Sequence, residues 1–274
     1  MEAGSLQVIL NAVVVLFVLG VAFGVGLAFA SRKLTVESDP RIEEIEALLP
    51  GANCGGCGYP GCRGLAEAIV GGAAPVTACP VAKDHTPIAR VMGVETVAVE
   101  PKVARVRCAG GLQEARQRFI YLGVEDCVAA QNLGGGPKAC EYGCLGLGTC
   151  VKACPFGAMT MSKNGLPVVD ETKCTACGMC VKACPRQLIT LWPVAKRVTV
   201  LCMNREKGTA VRPVCQVGCI GCRICEKNCP SNAITVEHNL ARIDPQLCTE
   251  CEICVEKCPM KTIKSKKKQE RAAG

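Results

Sequence analysis

Cysteine recurs at regular intervals through most of this chain. Three runs share the spacing Cys-x2-Cys-x2-Cys-x3-Cys-Pro, and they begin at Cys174, Cys219 and Cys248. A fourth run, from Cys140 to Cys154, ends in the same Cys-Pro pair but has wider gaps. With 24 cysteines among 274 residues, the chain belongs to one of three classes: a disulfide scaffold, a zinc protein or an iron–sulfur protein.

An apolar segment near the N-terminus argues against disulfides. Leu6 to Ala30 contains no charged residue, and a helix of this length measures roughly 37 Å, which is enough to span a bilayer. Ala28-Phe29-Ala30 also resembles a signal-peptide cleavage site, but no Lys or Arg precedes the run, and the run is too long for a signal peptide. Because Arg32 and Lys33 follow it, we expect the C-terminal bulk in the cytoplasm, where disulfides are rare.

The regular runs have the spacing of a bacterial ferredoxin half-motif. The first three cysteines bind one [4Fe-4S] cluster and the fourth binds the neighbouring cluster, so the runs must work in pairs. Zinc is the less favoured alternative, because the only histidines, His85 and His238, lie outside the cysteine runs. The expected ligand sets are Cys140, Cys144, Cys150 with Cys184; Cys174, Cys177, Cys180 with Cys154; Cys219, Cys222, Cys225 with Cys258; and Cys248, Cys251, Cys254 with Cys229.

An internal repeat supports this pairing. The segment from Cys154 to Asp170 aligns with the segment from Cys229 to Asp244 with one residue of slippage, and a cysteine run follows each. Both segments contain apolar alternation, an Asn-containing turn and apolar alternation again, which predicts a β-hairpin. The sequence therefore predicts one ferredoxin unit, present twice.

A fifth cysteine set lies between the apolar segment and the ferredoxin units. A glycine-rich stretch, Asn53 to Cys62, holds three cysteines, and glycines let the backbone fold closely around a cluster. We expect one helix to begin at Ser38-Asp39-Pro40 and to end at Leu49, and another over Leu65–Val70. A zinc loop is the alternative to the cluster. The expected ligands are Cys54, Cys57, Cys62 and Cys79.

Five clusters use 20 of the 24 cysteines and leave Cys108, Cys127, Cys202 and Cys215. Two of these precede each ferredoxin unit, and Cys108 and Cys202 both end valine-rich runs that predict strands. We expect these four to be buried structural thiols, because free cysteine behaves as a small hydrophobe. A sixth cluster built from them is the alternative.

Two further segments carry weaker patterns. Residues 112–122 place Leu112, Ala115, Phe119 and Leu122 on one face, which predicts a helix that ends at Gly123. The basic tail is expected to be a solvated end, with docking to an acidic partner or anionic lipid as the alternative. Its basic residues are Lys261, Lys264, Lys266, Lys267, Lys268 and Arg271. Aromatic residues do not alternate with basic ones as in nucleic-acid-binding segments, and we expect no flavin or NAD site.

The order of these parts resembles the B subunit of the Rnf complex. The resemblance is carried by Asn53-Cys-Gly-Gly-Cys-Gly-Tyr-Pro-Gly-Cys62 and Gly136-Pro-Lys-Ala-Cys-Glu-Tyr-Gly-Cys-Leu-Gly-Leu-Gly-Thr-Cys150. It extends over nearly the whole chain, and the first of these stretches is also similar to a cluster domain of corrinoid iron–sulfur proteins. The resemblance implies a complex that couples electron transfer between reduced ferredoxin and NAD to sodium or proton translocation. Within it, a chain of this family would receive electrons from soluble ferredoxin and pass them to the other membrane and peripheral subunits.

The sequence thus predicts an α+β chain with five [4Fe-4S] clusters and no catalytic residue of its own. We expect it to cross the plasma membrane once, with its clusters on the cytoplasmic side and the Cys54 set nearest the membrane. Alternatives are a route that keeps a redox-sensing transcription factor reduced, a ferredoxin-like subunit of another membrane dehydrogenase or hydrogenase, and a zinc-stapled scaffold. The expected divisions are a transmembrane helix (1–31), a four-Cys domain (32–92), a strand/helix connector (93–135), the first two-cluster ferredoxin unit (136–192), a connector (193–215), the second unit (216–262) and the basic tail (263–274).

Overall fold

The computed structural model of the chain describes residues 2–33, 39–96 and 99–266. The helices in these ranges are α1 Glu2–Lys33, α2 Pro40–Leu48, α3 Gly61–Val70, α4 Thr86–Met92, α5 Cys127–Asn132, α6 Thr149–Lys152, α7 Met179–Ala183, α8 Gly208–Val211, α9 Ile224–Lys227 and α10 Ile253–Lys257. The strands are β1 Lys102–Val106, β2 Met159–Met161, β3 Pro167–Val169, β4 Ile189–Pro193, β5 Val198–Val200, β6 Ile234–Glu237, β7 Leu240–Ile243 and β8 Ile263–Ser265. Within the described part, each element after residue 100 has only three to six residues, so cysteine loops make up much of this region.

Helix α1 is apolar around its whole circumference. Its 32 residues make a rod of about 48 Å, and the part from Leu10 to Lys33 has the length and composition needed to cross a membrane. Large side chains such as Phe17 and Leu27 are about 70% exposed to the surroundings. A helix that is hydrophobic on all sides requires an apolar environment. Helix α1 therefore matches the predicted membrane segment.

Helices α2, α3 and α4 pack into a small domain of their own. Its core contains Ile45, Leu65, Ile69 and Ile88, which are at most 1% exposed. Helix α2 begins as predicted: Asp39 caps it by accepting a hydrogen bond from the Arg41 N–H at 3.0 Å, and Pro40 follows the cap. The two predicted helices of this domain are confirmed; Ser38 lies outside the described residues.

Each ferredoxin unit contains the predicted hairpin. Strand β2 pairs antiparallel with β3, and β6 pairs antiparallel with β7. The turn of the second hairpin is His238-Asn239, and both residues have positive φ, 47° and 59°. Such a two-residue turn matches the right-handed twist of the strands that it joins. The repeat seen in the sequence is thus a repeat of structure.

One further strand joins each unit from the connector before it. Strand β1 pairs antiparallel with β4, the strand at the end of the first unit. Strand β5 pairs in the same way with β8 at the end of the second unit. The valine-rich runs before Cys108 and Cys202 therefore form strands, as predicted. The repeated structure includes the strand that precedes each ferredoxin unit.

Residues 112–122 do not form the predicted helix. Their backbone pairs with two distant segments: the Arg116 N–H donates to the Val214 carbonyl, and the Arg116 carbonyl accepts from the Ala139 N–H, both at 2.9 Å. Leu122, expected on the buried face, is 93% exposed. The prediction was wrong because apolar residues three and four apart do not reveal whether the backbone bonds locally or to other segments.

Candidate iron–sulfur centres

The third cysteine of every ferredoxin run lies in the first turn of a short helix. These cysteines are Cys150, Cys180, Cys225 and Cys254, and all are buried. The residue that precedes each helix has positive φ; it is Gly148 and Gly178 in the first unit but Arg223 and Glu252 in the second. A left-handed residue turns the chain sharply just before the helix, so loop cysteines and the helix cysteine can face one cavity.

One cavity in the first unit is lined by four cysteines that the spacing groups together. They are Cys154, Cys174, Cys177 and Cys180. Backbone N–H groups of Ala158 and Ala104 donate to the sulfurs of Cys154 and Cys174 at 3.4 and 3.5 Å. Hydrogen bonds to sulfur are a feature of protein-bound iron–sulfur clusters, so the surroundings of these sulfurs suit one.

The second unit brings its cysteines together in the same way. One cavity is lined by Cys219, Cys222, Cys225 and Cys258. Cys254 belongs to the other run. Cys248, Cys251, Cys225 and Cys229 lie close enough to it that their charges, in addition to burial, raise its pKa. The Ala233 N–H donates to the Cys229 sulfur at 3.3 Å, as the Ala158 N–H does to the Cys154 sulfur in the first unit.

Burial and crowding of these thiols disfavour their charged form. Burial, followed by the charges of neighbouring cysteines, raises the pKa of Cys150 and Cys254 to about 12. The same causes raise the pKa of Cys180 and Cys225 to about 11. Metal ligands must be deprotonated, so iron bound between these thiols would offset the cost of ionising them.

The widened run places its cysteines differently from the expected ligand set. Cys144, Cys150 and Cys184 line one cavity, and the fourth cysteine on its wall is Cys127. Cys140 instead lines a separate cavity. The other cysteines on that second cavity are Cys108, Cys202 and Cys215. The four cysteines that the spacing left over thus lie beside the members of the widened run.

The N-terminal domain holds three of its cysteines against one small core, which Cys57, Cys62 and Cys79 all contact. Burial raises the pKa of Cys79, and the charges of Cys57 and Cys62 add to this effect. Asn53 fixes the loop, since its side-chain oxygen accepts a hydrogen bond from the Cys62 N–H at 2.7 Å.

The loop that carries Cys54 lies against the first ferredoxin unit. A Cβ atom added to Gly56 would lie 2.5 Å from the Cys177 carbonyl oxygen, so the two backbones are in close contact. The Lys182 ammonium group donates to the Gly55 carbonyl at 3.4 Å. Burial raises the pKa of Cys177, and the charge of Cys54 adds to it. The N-terminal set is therefore adjacent to the set that contains Cys177.

A single metal ion does not fit these cysteine groups. In the ranges that the structure describes, no three His, Cys, Asp or Glu side chains come together as a site for one ion. A zinc ion holds its sulfur ligands at about 2.3 Å, which requires them to converge on one point. Sulfurs that line the walls of a cavity, without converging on one point, suit a larger multi-iron group instead.

Comparison with known proteins agrees with this geometry. A family model for an Fe-S cluster matches residues 49–81, and models for a 4Fe-4S dicluster domain match residues 139–189 and 218–262. The chain is 49% identical to the B subunit of the proton-translocating ferredoxin:NAD(+) oxidoreductase complex of Clostridium ljungdahlii, over 89% of this chain and 87% of the relative. It is 48% identical to the B subunit of the ion-translocating oxidoreductase complex of Methanosarcina acetivorans, over 89% of this chain and 93% of the relative. The chain belongs to the family of Rnf B subunits.

As a member of this Rnf family, the chain is an iron–sulfur electron-transfer subunit of an oxidoreductase complex associated with a membrane. The predicted class, the tandem 4Fe-4S units and the apolar N-terminal helix are confirmed. The relative from Acetobacterium woodii, 49% identical over 89% of this chain and 74% of its own length, is named for a Na(+)-translocating complex. Two relatives that are equally identical to this chain are thus named for complexes that translocate different ions.

Substituting Gly56 by alanine should separate the N-terminal domain from the first ferredoxin unit. The added methyl group would collide with the Cys177 carbonyl, and such overpacking costs about 1–3 kcal/mol. We expect hydrogen exchange to increase around Cys177 and Lys182, with the iron content unchanged. Gly71→Ala is the matched control, because Gly71 has a negative φ and the atom nearest an added Cβ belongs to its own helix. Equal exchange in both variants would contradict the contact.

The position of Cys127 beside Cys144, Cys150 and Cys184 was not predicted from the sequence. The spacing of the widened run suggested that Cys140 belongs with them. The number of cysteines in the sequence did point to a further site, because the four cysteines left over are as many as one more cluster needs. The count alone does not reveal that Cys127 and Cys140 lie on different cavities.

Proposed function

We propose that this chain accepts electrons from reduced ferredoxin at its second ferredoxin unit and delivers them, from its N-terminal domain, to membrane subunits of an Rnf-type complex. The names of the relatives from C. ljungdahlii and A. woodii, both from ferredoxin:NAD(+) oxidoreductase complexes, support the donor and the complex. Bound [4Fe-4S] clusters supply reversible one-electron transfer. The chain itself holds, orders and covers the cluster sites.

We propose four ligand sets that combine cysteine spacing with the groups seen in the structure, and Cys54 joins the first set from its spacing alone. The sets are Cys54, Cys57, Cys62 and Cys79; Cys154, Cys174, Cys177 and Cys180; Cys219, Cys222, Cys225 and Cys258; and Cys229, Cys248, Cys251 and Cys254. A fifth set uses Cys144, Cys150 and Cys184 with one further cysteine.

The observation that carries the direction of the route is a difference between two equivalent cysteines. Cys177 and Cys251 are the second cysteines of corresponding runs in the two units. Cys177 is buried, because the Gly56 loop of the N-terminal domain lies on it, whereas Cys251 is exposed. The first unit thus carries a cluster domain at this position, and the second unit presents the same position to a separate partner. We assign that partner as ferredoxin.

The cysteine sets are neighbours along the chain of units. Beyond the effect of burial, Cys54 contributes to the raised pKa of Cys177, and Cys180 contributes to that of Cys150. In the second unit, Cys225 contributes in the same way to the raised pKa of Cys254. These proximities support a route that ends at the N-terminal domain.

The residues at the end of the membrane helix indicate on which side of the bilayer the cluster sites lie. Arg32 and Lys33 end α1, and basic residues next to a membrane span favour the cytoplasmic side. We propose a single span with all cluster sites in the cytoplasm. The N-terminal domain begins only six residues after α1, which keeps the Cys54 set close to membrane subunits.

Blocking the surface beside Cys251 should slow the transfer from ferredoxin. Thr249 is exposed next to that cysteine, and Thr249→Trp places a bulky ring where the partner would dock. We expect stopped-flow bleaching by reduced ferredoxin to slow by roughly tenfold, since overpacking an interface costs about 1–3 kcal/mol. Reduction by dithionite should be unchanged.

Lys163→Trp, on the exposed hairpin turn of the first unit, is the matched control. It should leave both reactions at their wild-type rates. If Thr249→Trp reacts with ferredoxin as fast as the control, ferredoxin does not dock beside Cys251.

A further inference from the structure

We propose that Cys108, Cys140, Cys202 and Cys215 hold a sixth [4Fe-4S] cluster, and that Cys127 completes the set of Cys144, Cys150 and Cys184. The inference rests on the proposed iron–sulfur function and adds one site to it. With this assignment, the 24 cysteines of the chain form six sets of four.

The four cysteines converge from separate parts of the chain. Cys108 and Cys202 follow strands β1 and β5, Cys140 begins the widened run, and Cys215 follows helix α8. All four line one cavity. Three other cavities in the described ranges are each lined by four cysteines as well. The same number of cysteines around each cavity indicates the same kind of occupant.

The segment that failed to become a helix helps to build this site. Ala115 forms an isolated antiparallel bridge with Cys215. The neighbouring Arg116 bonds to Val214 and Ala139, on either side of the cavity. Residues 112–122 therefore use their backbone to join the Cys215 segment to the Cys140 segment.

Hydrogen-bond donors surround the sulfurs of this set. The Cys202 sulfur accepts from the N–H groups of Asn204 and Cys219 at 3.4 and 3.3 Å. The Cys140 sulfur accepts from the side-chain amide of Asn204 at 3.4 Å, and the Cys108 sulfur accepts from the Cys144 N–H at 3.4 Å. Asn204 is only 1% exposed. Neutral thiols are weak acceptors, so this number of donors fits charged thiolates bound to iron.

A buried cation lies on the same cavity. Lys138 is 2% exposed, lines the cavity, and donates to the Gly110 carbonyl at 2.6 Å. None of the ion pairs found in the described ranges includes Lys138. A buried ammonium group requires a compensating negative charge. Iron-bound thiolates would supply that charge, whereas neutral structural thiols would not.

The position of this set connects the two ferredoxin units. Cys202 accepts from the N–H of Cys219, a ligand in the second unit. Cys108 accepts from the N–H of Cys144, a ligand in the first unit. A cluster held between them would let electrons pass from the second unit to the first.

The test is the iron and sulfide content of the full-length chain, purified anaerobically in detergent, with its cysteine variants. We expect about 24 iron and 24 sulfide per wild-type chain, at four of each per cluster. Cys215→Ser should lose about four of each. Gln216→Ser, which introduces the same residue at the exposed neighbouring position, should lose none.

Double variants test which cysteines share a cluster. Cys140→Ser with Cys215→Ser should lose about four iron in total, because both substitutions remove the same cluster. Cys127→Ser with Cys215→Ser should lose about eight, because they remove two clusters. In low-temperature EPR of the reduced chain, both double variants should lack the signal that Cys215→Ser alone removes.

The outcomes separate this inference from the proposed function. A brown wild-type chain with about 20 iron, unchanged by Cys215→Ser and by Cys127→Ser, would overturn the sixth cluster and leave the electron-transfer function intact. A colourless wild-type chain would overturn the electron-transfer function itself. The iron content of the wild-type chain tests the sixth cluster even if a variant fails to fold.

Discussion

Replacing Cys54 by serine should reduce ferredoxin-driven NAD reduction by the reconstituted complex roughly tenfold or more, on the scale of losses seen when a metal site is disrupted. Cys54 belongs to the cysteine set of the N-terminal domain, and that domain lies between the membrane helix and the first ferredoxin unit. Loss of its cluster would remove the last site before the membrane subunits. Rapid bleaching of the remaining clusters by ferredoxin should persist, because the second unit is untouched.

The matched control for this experiment is Ala52→Ser. Ala52 is exposed in the same loop, so the variant carries a serine without losing a thiol and should retain wild-type NAD reduction. If Cys54→Ser loses about four iron and NAD reduction stays at the wild-type rate, electrons leave the chain elsewhere.

Removing iron should unfold both ferredoxin units and spare much of the N-terminal domain. The second unit's core includes Cys202, Cys225 and Cys254, and four more of its cysteines pack against that core. Without the clusters, these cysteines would lose the group that they surround, and the binding free energy that contributes to folding would be lost. The domain of α2–α4 has a core of aliphatic side chains such as Ile45 and Leu65, and it should retain protection.

Hydrogen exchange measured by mass spectrometry, before and after anaerobic chelation, distinguishes these regions. The hairpins β2–β3 and β6–β7 should lose protection, and the core of α2–α4 should keep more of it. Restoring iron and sulfide should restore the hairpins. Protected hairpins in a chain free of iron would show that the units fold on side-chain packing alone.

Local structure could be predicted wherever it depends on residues that are close in the sequence. Cysteine spacing within a run identifies the ferredoxin loops, because a cluster is wrapped by residues close in sequence. The hairpins follow from apolar alternation on both sides of a turn. Asp39 and Pro40 similarly define the start of α2.

Contacts between distant segments could not be predicted from the same sequence. Cys127 lies on the cavity that the spacing assigned to Cys140, because the path of the chain through α5 and the turns after it decides which cysteine reaches which cavity. Residues 112–122 became an extended bridge because their partners, near Val214 and Ala139, are remote in sequence. No local pattern reveals such pairings.

The contact between the N-terminal domain and Cys177 could not be predicted from the sequence either. Gly56 lies in a glycine-rich stretch that the sequence explains by the local needs of a cluster loop. The structure gives this glycine a second role, since only a residue without a Cβ allows the loop to reach the first ferredoxin unit. That contact places two separately recognisable cysteine modules next to each other.

The most direct test of the central claim is an anaerobic titration of the purified full-length chain with reduced ferredoxin, followed by visible absorbance. We predict a brown chain that bleaches progressively and takes up about one electron per cluster. A colourless chain that contains zinc and takes up no electrons would contradict this claim.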